Sequence, residues 1–308
     1  MGPQLAGTEL TVDGQPLTVR DPDRVVFPAT GTTRADVLRY YAAVAGTMLP
    51  HLRDRVLQMP RYPAGVDGPC WTKPCPRIRP EWLATTRVWD PEHADSVEYC
   101  LANEPAAVLW AISVGSIELF TSLHRRDAVH RPTVMAFDLE PYEGVTLLDC
   151  CETALALREL LDAHGLMSCV KTSGIKGLHV YVPLNSEVDY AATRARAHAL
   201  ADRLQATMPD SVVAQATQPR LRHKVLADYR VNSEQAMLAA AYSVRAQERP
   251  TVSTPVSWDE VQGALQAGDE TLITFEMQDV IERITQLGDL FAPVLQDHQT
   301  LAPELQPA

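Results

Sequence analysis

Apolar and polar positions divide the chain into segments with strand-like and helix-like spacing. Short apolar or alternating runs predict strands at about residues 9–19, 24–28, 55–62, 87–89, 97–100, 117–120, 134–141, 168–172, 178–183 and 224–229. The first run is interrupted by Asp13-Gly14, a dipeptide that is typical of a hairpin turn. The pattern predicts one α/β layer over about residues 20–130 and a second over about 131–250.

Helical spacing of apolar residues alternates with these strands. It predicts helices over about residues 32–49, 104–113, 147–164 and 190–208, and further helices from Trp258 and from Asp279. Thr32 or Thr33 caps the first helix and Pro50 closes it, whereas Gly165 ends the third. We expect a single domain over 1–295, made of two intimate layers and C-terminal helices, and a disordered tail over 296–308.

The strand predicted at 134–141 ends in two carboxylates. Asp138 and Glu140 lie one residue apart after an apolar run. Side chains at i and i+2 of a strand point to the same face, so both acids stand side by side while Leu139 turns into the core. Carboxylates this close repel each other unless the site is wet or a divalent cation lies between them, and hard oxygen ligands suit Mg²⁺ or Mn²⁺. A solvated strand edge is the commoner origin of this pattern.

Length, composition and charge restrict the class of protein. With 308 residues, 46% of them hydrophobic, the chain can bury a sizeable core. It has no apolar run long enough for a membrane span, and its first residues lack the apolar stretch of a signal peptide, so we expect a cytoplasmic protein. The net charge of −12 argues against a protein wrapped in nucleic acid, although local basic clusters can coexist with an acidic remainder.

The six cysteines give no paired metal-ligand pattern. Cys70 and Cys75 with Cys100 could hold zinc, but this stretch offers no convincing fourth ligand. We therefore expect reduced and mostly buried thiols.

Two further segments carry groups that suit phosphate chemistry. Residues 173–177, Ser-Gly-Ile-Lys-Gly, form a glycine-bracketed turn between two predicted strands, and its amides, hydroxyl and lysine suit anionic oxygens. Asp228 ends a later strand that is flanked by cations, namely Arg220, Arg222, Lys224 and Arg230. Carboxylates for a metal and cations for phosphates are what phosphoryl transfer requires.

Each of these residues has a structural alternative. Asp228 can be a capping acid, Lys176 a solvated turn lysine, and His179 a satisfied strand histidine. Trp71, which stands beside Lys73 in a Pro-bounded loop, is either a cap on the core or an aromatic platform for a base. The order in which the acid pair, the glycine-bracketed turn and the third acid follow one another favours the functional interpretation.

The same motifs carry a family resemblance. Asp-Leu-Glu-Pro at 138–141, Thr-Ser-Gly-Ile-Lys-Gly-Leu-His at 172–179 and Asp-Tyr-Arg-Val-Asn at 228–232 resemble the three motifs of the archaeo-eukaryotic primase superfamily. With Phe-Pro-Ala-Thr-Gly at 27–31 and Tyr-Ser-Val-Arg-Ala at 242–246, the chain resembles more closely the polymerase domain of bacterial DNA ligase D, in its stand-alone actinobacterial form. The resemblance covers about residues 8–295, and Ser-Gly-x-Lys-Gly-Leu-His is its most specific part.

The resemblance implies an α+β fold in which two β-sheets, flanked by helices, enclose a central active-site cleft. It implies a nucleotidyltransferase that adds ribo- or deoxyribonucleotides to a DNA 3′ end or gap, in gap filling or non-homologous end joining. Two divalent ions, Mn²⁺ or Mg²⁺, would be held by Asp138, Glu140 and Asp228.

The resemblance also assigns a nucleotide site. Ser173 and Lys176 would contact the triphosphate of a nucleoside triphosphate, with His179 and Arg245 in support. Trp71 stands where the family places an aromatic side chain that stacks on the incoming base.

A DNA site and partners are implied as well. Arg24 and Arg34 match basic positions that hold the 5′-phosphate on the far side of a gap, so gapped or broken DNA is the implied polymer substrate and the nucleoid the implied location. No Lys-x-Asp-Gly ligase motif is present. The resemblance therefore implies a separate ATP-dependent DNA ligase and the end-binding protein Ku as partners.

Four positions depart from the family pattern. Glu140 replaces a second Asp, Phe120 a His, Pro60 a Lys and Val231 a Gln. Glu is one methylene longer than Asp, so a ligand must retract or rotate to keep an octahedral distance of about 2.1 Å. We expect a metal site that can bind cations, together with fewer contacts to the triphosphate than the family usually has.

Two other functions stay open. The departures are compatible with a non-catalytic DNA-end-binding module. The net charge of −12 slightly favours a metal-dependent small-molecule nucleotidyltransferase that is unrelated to DNA.

Overall fold

Two β-sheets organise the protein, which a computed structural model describes over residues 7–72, 75–90, 94–216 and 222–301. The strands are β1 (Gly7–Val12), β2 (Gln15–Arg20), β3 (Val25–Phe27), β4 (Thr32–Thr33), β5 (Leu57–Gln58), β6 (Thr85–Asp90), β7 (Asp95–Cys100), β8 (Phe120–Ser122), β9 (Val134–Pro141), β10 (Cys169–Thr172), β11 (Leu178–Pro183), β12 (Val212–Val213), β13 (Val225–Asp228), β14 (Met237–Ala239) and β15 (Pro255–Val256). The helices are α1 (Arg34–Leu52), α2 (Pro105–Ser113), α3 (Leu147–Ala163), α4 (Tyr190–Thr207), α5 (Trp258–Ala267), α6 (Met277–Leu287) and α7 (Pro293–Gln296), with a 3₁₀ turn at Glu270–Ile273.

The second layer forms one sheet in the order β12-β13-β9-β11-β10-β15. Its central strand, β9, runs antiparallel to both β11 and β13. The helices α3 and α4 contact β9, and the Cys150 thiol of α3 donates to the Leu139 carbonyl. Every residue of Val134–Phe137 is buried, so this part of β9 is covered on both faces, and a strand covered in this way needs no polar alternation.

The first layer forms the other sheet, in the order β14-β8-β5-β7-β6. Its strands β6 and β7 are longer than the runs predicted at 87–89 and 97–100, whereas β5 and β8 are shorter than the runs predicted at 55–62 and 117–120. The run at 55–62 contributes only Leu57–Gln58 to the sheet, because Arg61 leaves it to form isolated bridges with Trp71 and Ser116. The run at 117–120 enters the sheet only at Phe120.

The predicted hairpin at 9–19 is confirmed as the pair β1–β2. Asp13 and Gly14 both have positive φ, at 48° and 81°, which is what a two-residue hairpin turn of this hand requires.

Helix boundaries follow the capping signals with one exception. Thr33 caps α1 in a reciprocal box with Asp36, and Gly165 follows the end of α3 with φ of 68°. Pro50 does not close α1 as predicted, because the helix continues to Leu52. A proline this close to the end removes one hydrogen bond without ending the last turn.

The helix α1 ties the two layers together. The Tyr40 hydroxyl donates to the Tyr242 carbonyl at 2.8 Å, and the Tyr41 hydroxyl donates to the Ile117 carbonyl at 2.7 Å. Tyr41 also accepts from the amide of Val244 at 3.0 Å. Both tyrosines are buried, so these bonds fix the segment 242–245 against the first sheet.

The expectation of reduced thiols is wrong for two cysteines. Cys75 and Cys100 form a disulfide with a Cα–Cα distance of 5.0 Å. The amide of Cys75 donates to the Glu98 carbonyl at 2.9 Å, which lays the connector before β6 along β7 and brings the thiols together. Composition does not show that two cysteines 25 residues apart lie close together in the fold. The other cysteines are free, and all but Cys70 are buried as predicted, namely Cys150, Cys151 and Cys169.

The predicted disordered tail begins with ordered residues. The Gln299 side chain donates to the carbonyls of Met167 and Pro183, at 2.9 Å each, and accepts from the amide of Met167 at 2.7 Å. These bonds attach the chain to the second sheet as far as this residue, and residues 302–308 lie outside the described part. No helix in the described ranges is long and apolar enough to cross a membrane.

Candidate active site

The acid pair lies on the central strand of the second sheet. In the register of β9, Asp138 is the direct partner of His179 on β11 and of Asp228 on β13. Directly paired residues place their side chains on one face, and Glu140 follows on that face two residues later. Leu139 points the other way and is fully buried, as predicted. The three acids are therefore neighbours on the sheet face that carries the cleft.

The mutual repulsion of the acids affects Glu140 most. Burial raises the pKa of this carboxyl, and the charges of Asp138 and Asp228 raise it further, against an opposing effect of Arg230. Asp138 behaves differently. Burial would raise its pKa, but the contact with His179 and the charges of Lys171 and Arg245 hold it below the usual range.

Asp228 is held by an arginine. The Arg230 side chain donates to both carboxylate oxygens, from Nε to Oδ1 at 2.8 Å and from Nη2 to Oδ2 at 2.6 Å. The Arg230 amide also donates to Oδ1 at 2.8 Å. The acids therefore converge along the sheet as predicted, but they do not form an open cage. Among the described residues, no group of three or more His, Cys, Asp or Glu side chains is arranged to hold a metal ion, zinc included.

The donor set nevertheless fits a hard divalent cation. Asp138 and Glu140 line the cleft without an arginine partner, and both offer carboxylate oxygens. Burial, and then the negative charges of Asp138 and Asp228, raise the pKa of Glu140, and a bound cation would offset the repulsion between these charges. Asp228 has few acceptor sites left for a cation while Arg230 donates to both of its oxygens.

A cleft of about 400 Å³ opens between the two sheets. Asp138, Glu140 and His179 line it from the second sheet, and Phe120 and Met237 line it from the first. The fold thus confirms a cleft between two sheets, with the predicted acid pair on one wall. The remaining predicted triphosphate contacts also reach it, namely Ser173, Lys176 and Arg245.

Two glycines allow the turn at 173–177 to approach its neighbours. Gly174 has φ of 73°, and a Cβ there would lie 2.7 Å from the Arg245 side chain and from the backbone at 252–253. A Cβ at Gly177 would lie 2.1 Å from the Leu139 carbonyl oxygen, between the two acids in sequence. The Ser173 hydroxyl accepts from the amides of Ile175 and Gly177, at 3.2 and 3.1 Å, which closes the turn.

Arg245 is held in place by three groups. Its Nε donates to Glu118 at 2.8 Å, its Nη1 donates to the Ser173 carbonyl at 2.5 Å, and its guanidinium lies 5.2 Å from the centroid of the Phe120 ring. Glu118 also accepts from the Tyr62 hydroxyl at 2.5 Å. Phe120 stands where the family commonly has His, and its ring therefore makes a cation–π contact with the Arg245 guanidinium.

Sequence reasoning missed Lys171. This lysine is fully buried, and its Nζ lies 2.8 Å from Nδ1 of His179 and 2.6 Å from the Ser253 hydroxyl. His179 in turn has Nε2 3.3 Å from Asp138 Oδ1. Burial and the charge of Arg245 lower the pKa of Lys171 well below its usual value. The available signal was a charged residue inside an apolar strand, and Glu118, between Ile117 and Leu119, carries the same signal.

Trp71 does not line the cleft. It is 42% exposed, and its backbone pairs with that of Arg61, with N–O distances of 3.1 and 3.3 Å. It is not among the described residues that line the cleft, so its stacking role stays a prediction. Lys73 lies outside the described ranges.

Arg24 and Arg34 border a second, basic cavity of about 730 Å³. Arg20, Arg61 and Arg79 also line it. Arg24 is exposed beside Asp21, at 3.2 Å. Arg34 is buried, and its guanidinium donates to the carbonyls of Arg20 and Pro63.

The cations expected around Asp228 divide into three cases. Arg230 holds it, whereas Arg222 pairs with Glu143 at 3.2 Å and Lys224 donates to the Pro209 carbonyl at 2.5 Å. Arg220 lies outside the described residues. Of the three cations in the described part of the chain, only Arg230 is shown in contact with Asp228.

Two sheets around a cleft, with acids on the central strands and a glycine-bracketed turn beside them, define a primase-polymerase type of domain. The family model described as LigD, primase-polymerase domain, matches residues 33–291. The chain belongs to this family, which confirms the resemblance inferred from its motifs.

Known relatives agree with this assignment. The chain is 33% identical to the multifunctional non-homologous end joining protein LigD of Mycolicibacterium smegmatis over 89% of its own length and 35% of the relative. It is 28% identical to the bifunctional protein LigD of Bacillus subtilis over 86% of its length and 42% of the relative. The chain therefore spans well under half of these relatives.

A solved structure is similar over nearly its whole length. The polymerase domain of Mycobacterium tuberculosis ligase D, determined in complex with DNA, superposes with a TM-score of 0.84 at 31% identity. The match covers 92% of this chain and 99% of that domain. The α+β fold of two sheets is thereby confirmed.

Proposed function

We propose that the protein is a metal-dependent nucleotidyltransferase of the primase-polymerase type, which adds nucleotides from ribo- or deoxyribonucleoside triphosphates to a DNA 3′ end at gaps or broken ends and releases pyrophosphate. The observation that carries this proposal is the cleft itself. Asp138 and Glu140 line one wall of it, and Lys176 and Arg245 line it beside them. Carboxylates and cationic side chains that line the same cleft suit the transfer of a nucleotidyl group.

Asp138, Glu140 and, once freed from Arg230, Asp228 would hold two divalent cations, Mn²⁺ or Mg²⁺. When bound, such cations activate a 3′ hydroxyl and neutralise charge that develops on a triphosphate. Carboxylate oxygen donors suit both of these metals.

The chain's own residues would bind and orient the nucleotide. Lys176 and Arg245 would supply positive charge to the triphosphate oxygens. The Ser173 hydroxyl accepts from the amides of Ile175 and Gly177 and thereby fixes the turn that carries Lys176. His179 keeps its Nε2 toward Asp138 and thereby orients that carboxylate. Trp71 would reach the incoming base only if its loop approaches the cleft.

The basic cavity would bind the 5′-phosphate across a gap. Arg24 is the exposed candidate for direct contact, whereas Arg34 is committed to backbone carbonyls and would shape the cavity. The relatives are named for non-homologous end joining. On this likeness we propose that an ATP-dependent DNA ligase seals the product and that Ku presents the ends.

The test is template-directed extension on a duplex with a one-nucleotide gap and a 5′-phosphate, in the presence of Mn²⁺. Wild type should add a ribo- or deoxyribonucleotide, and Asp138→Asn should lower the rate by at least about a hundredfold. The control is Asp210→Asn, an exposed acid in the loop after α4. Equal rates for wild type and Asp138→Asn, or no extension by either, would contradict the proposal.

A second candidate is a non-catalytic module that binds DNA ends. The specific observation in its favour is that Arg230 holds both oxygens of Asp228. It predicts tight binding to a 5′-phosphorylated gap that falls with Arg24→Ala and is unchanged by Asp138→Asn, without any extension. Extension that depends on Asp138 would exclude it.

A further inference from the structure

Arg230 takes the place that a cation would need at the third acid. Its guanidinium and its amide make three hydrogen bonds to the Asp228 carboxylate, and both oxygens are used. A bidentate, charge-assisted pair of this kind is among the stronger polar interactions in proteins. While this pair persists, three of the roughly four acceptor sites of the Asp228 carboxylate are occupied, so few remain for a cation.

The position of the pair makes this competition local. Asp228 is the direct cross-strand partner of Asp138, and Glu140 stands two residues further along the same face. The Arg230 guanidinium lies 2.6 Å from Asp228 Oδ2, so its positive charge stands beside this group of acids. Arg230 therefore already supplies part of the positive charge that the group lacks.

The Arg230 side chain is exposed enough to move away from Asp228. Its side chain is 45% exposed, whereas that of Asp228 is only 16% exposed. It lies near Tyr142, which lines the mouth of the cleft. A released guanidinium would reach solvent, or the oxygens of a triphosphate in the cleft, without any rearrangement of β13.

We propose that Arg230 is an internal competitor of the divalent cation, which holds Asp228 away from the metal site and weakens metal binding until it is displaced. This inference rests on the proposed function, because it takes Asp138, Glu140 and Asp228 as the ligands. Arg230 is a positioning residue in this account, since it acts through Asp228.

The experiment measures Mn²⁺ binding directly, from the paramagnetic resonance signal of free Mn²⁺ during titration of the DNA-free protein at neutral pH. The variants are Arg230→Ala and Arg230→Lys. Arg222→Ala is the matched control, because it removes the same charge from a nearby exposed site where Arg222 pairs with Glu143. Asp138→Asn and the double variant Asp138→Asn/Arg230→Ala test whether any gain uses the acids, and thermal melts check folding.

Arg230→Ala should bind Mn²⁺ about tenfold more tightly than wild type, because loss of a bidentate pair frees an interaction of this order. Arg230→Lys should fall between them, since an ammonium cannot hold both oxygens in one fork. Arg222→Ala should stay within about twofold of wild type, because Arg222 is exposed and pairs with Glu143, so solvent and salt screen its charge. The double variant Asp138→Asn/Arg230→Ala should bind Mn²⁺ no more tightly than Asp138→Asn alone.

The outcomes separate the two claims. Unchanged affinity in Arg230→Ala, with weaker binding in Asp138→Asn, overturns the role of Arg230 and leaves the proposed function standing. An equal gain in Arg222→Ala also overturns it, since general charge would then be the cause. Binding that is independent of Asp138 in every variant overturns both.

Discussion

Lys171 and His179 form a buried pair, with Nζ and Nδ1 2.8 Å apart. Burial, and then the charge of Lys171, lowers the pKa of His179, so its ring is neutral near pH 7 and carries one N–H. The Asp138 carboxylate can only accept, so Nε2 holds the proton and Nδ1 accepts from Lys171. The Ser253 hydroxyl donates to the Thr172 carbonyl at 2.8 Å, so it too accepts from the lysine.

Replacing this donor should change the protonation of His179. Lys171→Met keeps most of the side-chain volume but removes a positive charge and leaves Nδ1 without a donor, whereas Asp138 still fixes the proton on Nε2. Because the charge of Lys171 lowers the pKa of His179, we expect the His179 ring in Lys171→Met to take up its second proton at a higher pH than in wild type, followed in its ¹⁵N spectrum, and the rate of nucleotide addition to fall by about tenfold. An unchanged ¹⁵N titration of His179 in Lys171→Met would refute the role of the lysine, whatever happens to the rate.

Glu118 should be needed both for the stability of the fold and for nucleotide binding. Glu118→Gln removes the charge that compensates the buried Arg245, and a broken buried pair costs about 3 kcal/mol or more. We expect a lower melting temperature and a raised KM for the nucleotide. Tyr62→Phe is the control, because it removes one hydroxyl and leaves the ion pair. A larger rise of KM in Tyr62→Phe than in Glu118→Gln would speak against this arrangement.

Gly177→Ala should displace the turn from the acid strand. Its Cβ would lie 2.1 Å from the Leu139 carbonyl oxygen, a backbone atom that cannot yield easily. We expect a loss of about 1–3 kcal/mol of stability and weaker nucleotide binding, measured by urea unfolding and by KM. Gly263→Ala in α5 is the matched control, since nothing lies within 4 Å of its Cβ. Comparable effects of both substitutions would contradict the close packing of the turn.

His124 should make the fold sensitive to mild acid. Burial, and next the charge of Arg55, lowers its pKa to about 4, against about 6.5 in an unfolded chain. Its folded-state pKa is depressed, so the neutral ring favours folding above about pH 6.5, and this contribution is lost as the pH falls toward about 4.

The expected size follows from linkage. Between pH 7.5 and pH 5, wild type should lose about 2 kcal/mol of unfolding free energy through His124, and His124→Gln should lose correspondingly less. The exposed His298 provides a control, since His298→Gln should keep the slope of wild type. Identical pH dependence of wild type and His124→Gln, measured by urea unfolding, would argue against a buried neutral ring.

Local rules predicted those parts of the site that lie within one element. The common face of Asp138 and Glu140 follows from strand geometry alone, and the cap at Thr33 and the hairpin at Asp13-Gly14 follow from single residues. The pairing of Asp228 with Asp138 depends on the register between strands that are far apart in sequence, so only the order of family motifs pointed to it.

The remaining features depend on partners that a sequence does not show. Lys171 is expected to be solvated unless its partners are known, and its burial rests on His179 and Ser253. The disulfide depends on how a connector lies along β7. Trp71 was assigned by motif position, and its place away from the cleft reflects a backbone bridge to Arg61.

The account depends on a cation site formed by Asp138, Glu140 and Asp228 in the cleft. The most direct test is anomalous scattering from a crystal soaked with Mn²⁺ and a non-hydrolysable nucleoside triphosphate. We expect a manganese peak in contact with Asp138 and Glu140, phosphate oxygens near Lys176, and an Asp228 carboxylate that has left Arg230. A nucleotide in the cleft without any manganese at these acids, and with Asp228 still held by Arg230, would contradict the account.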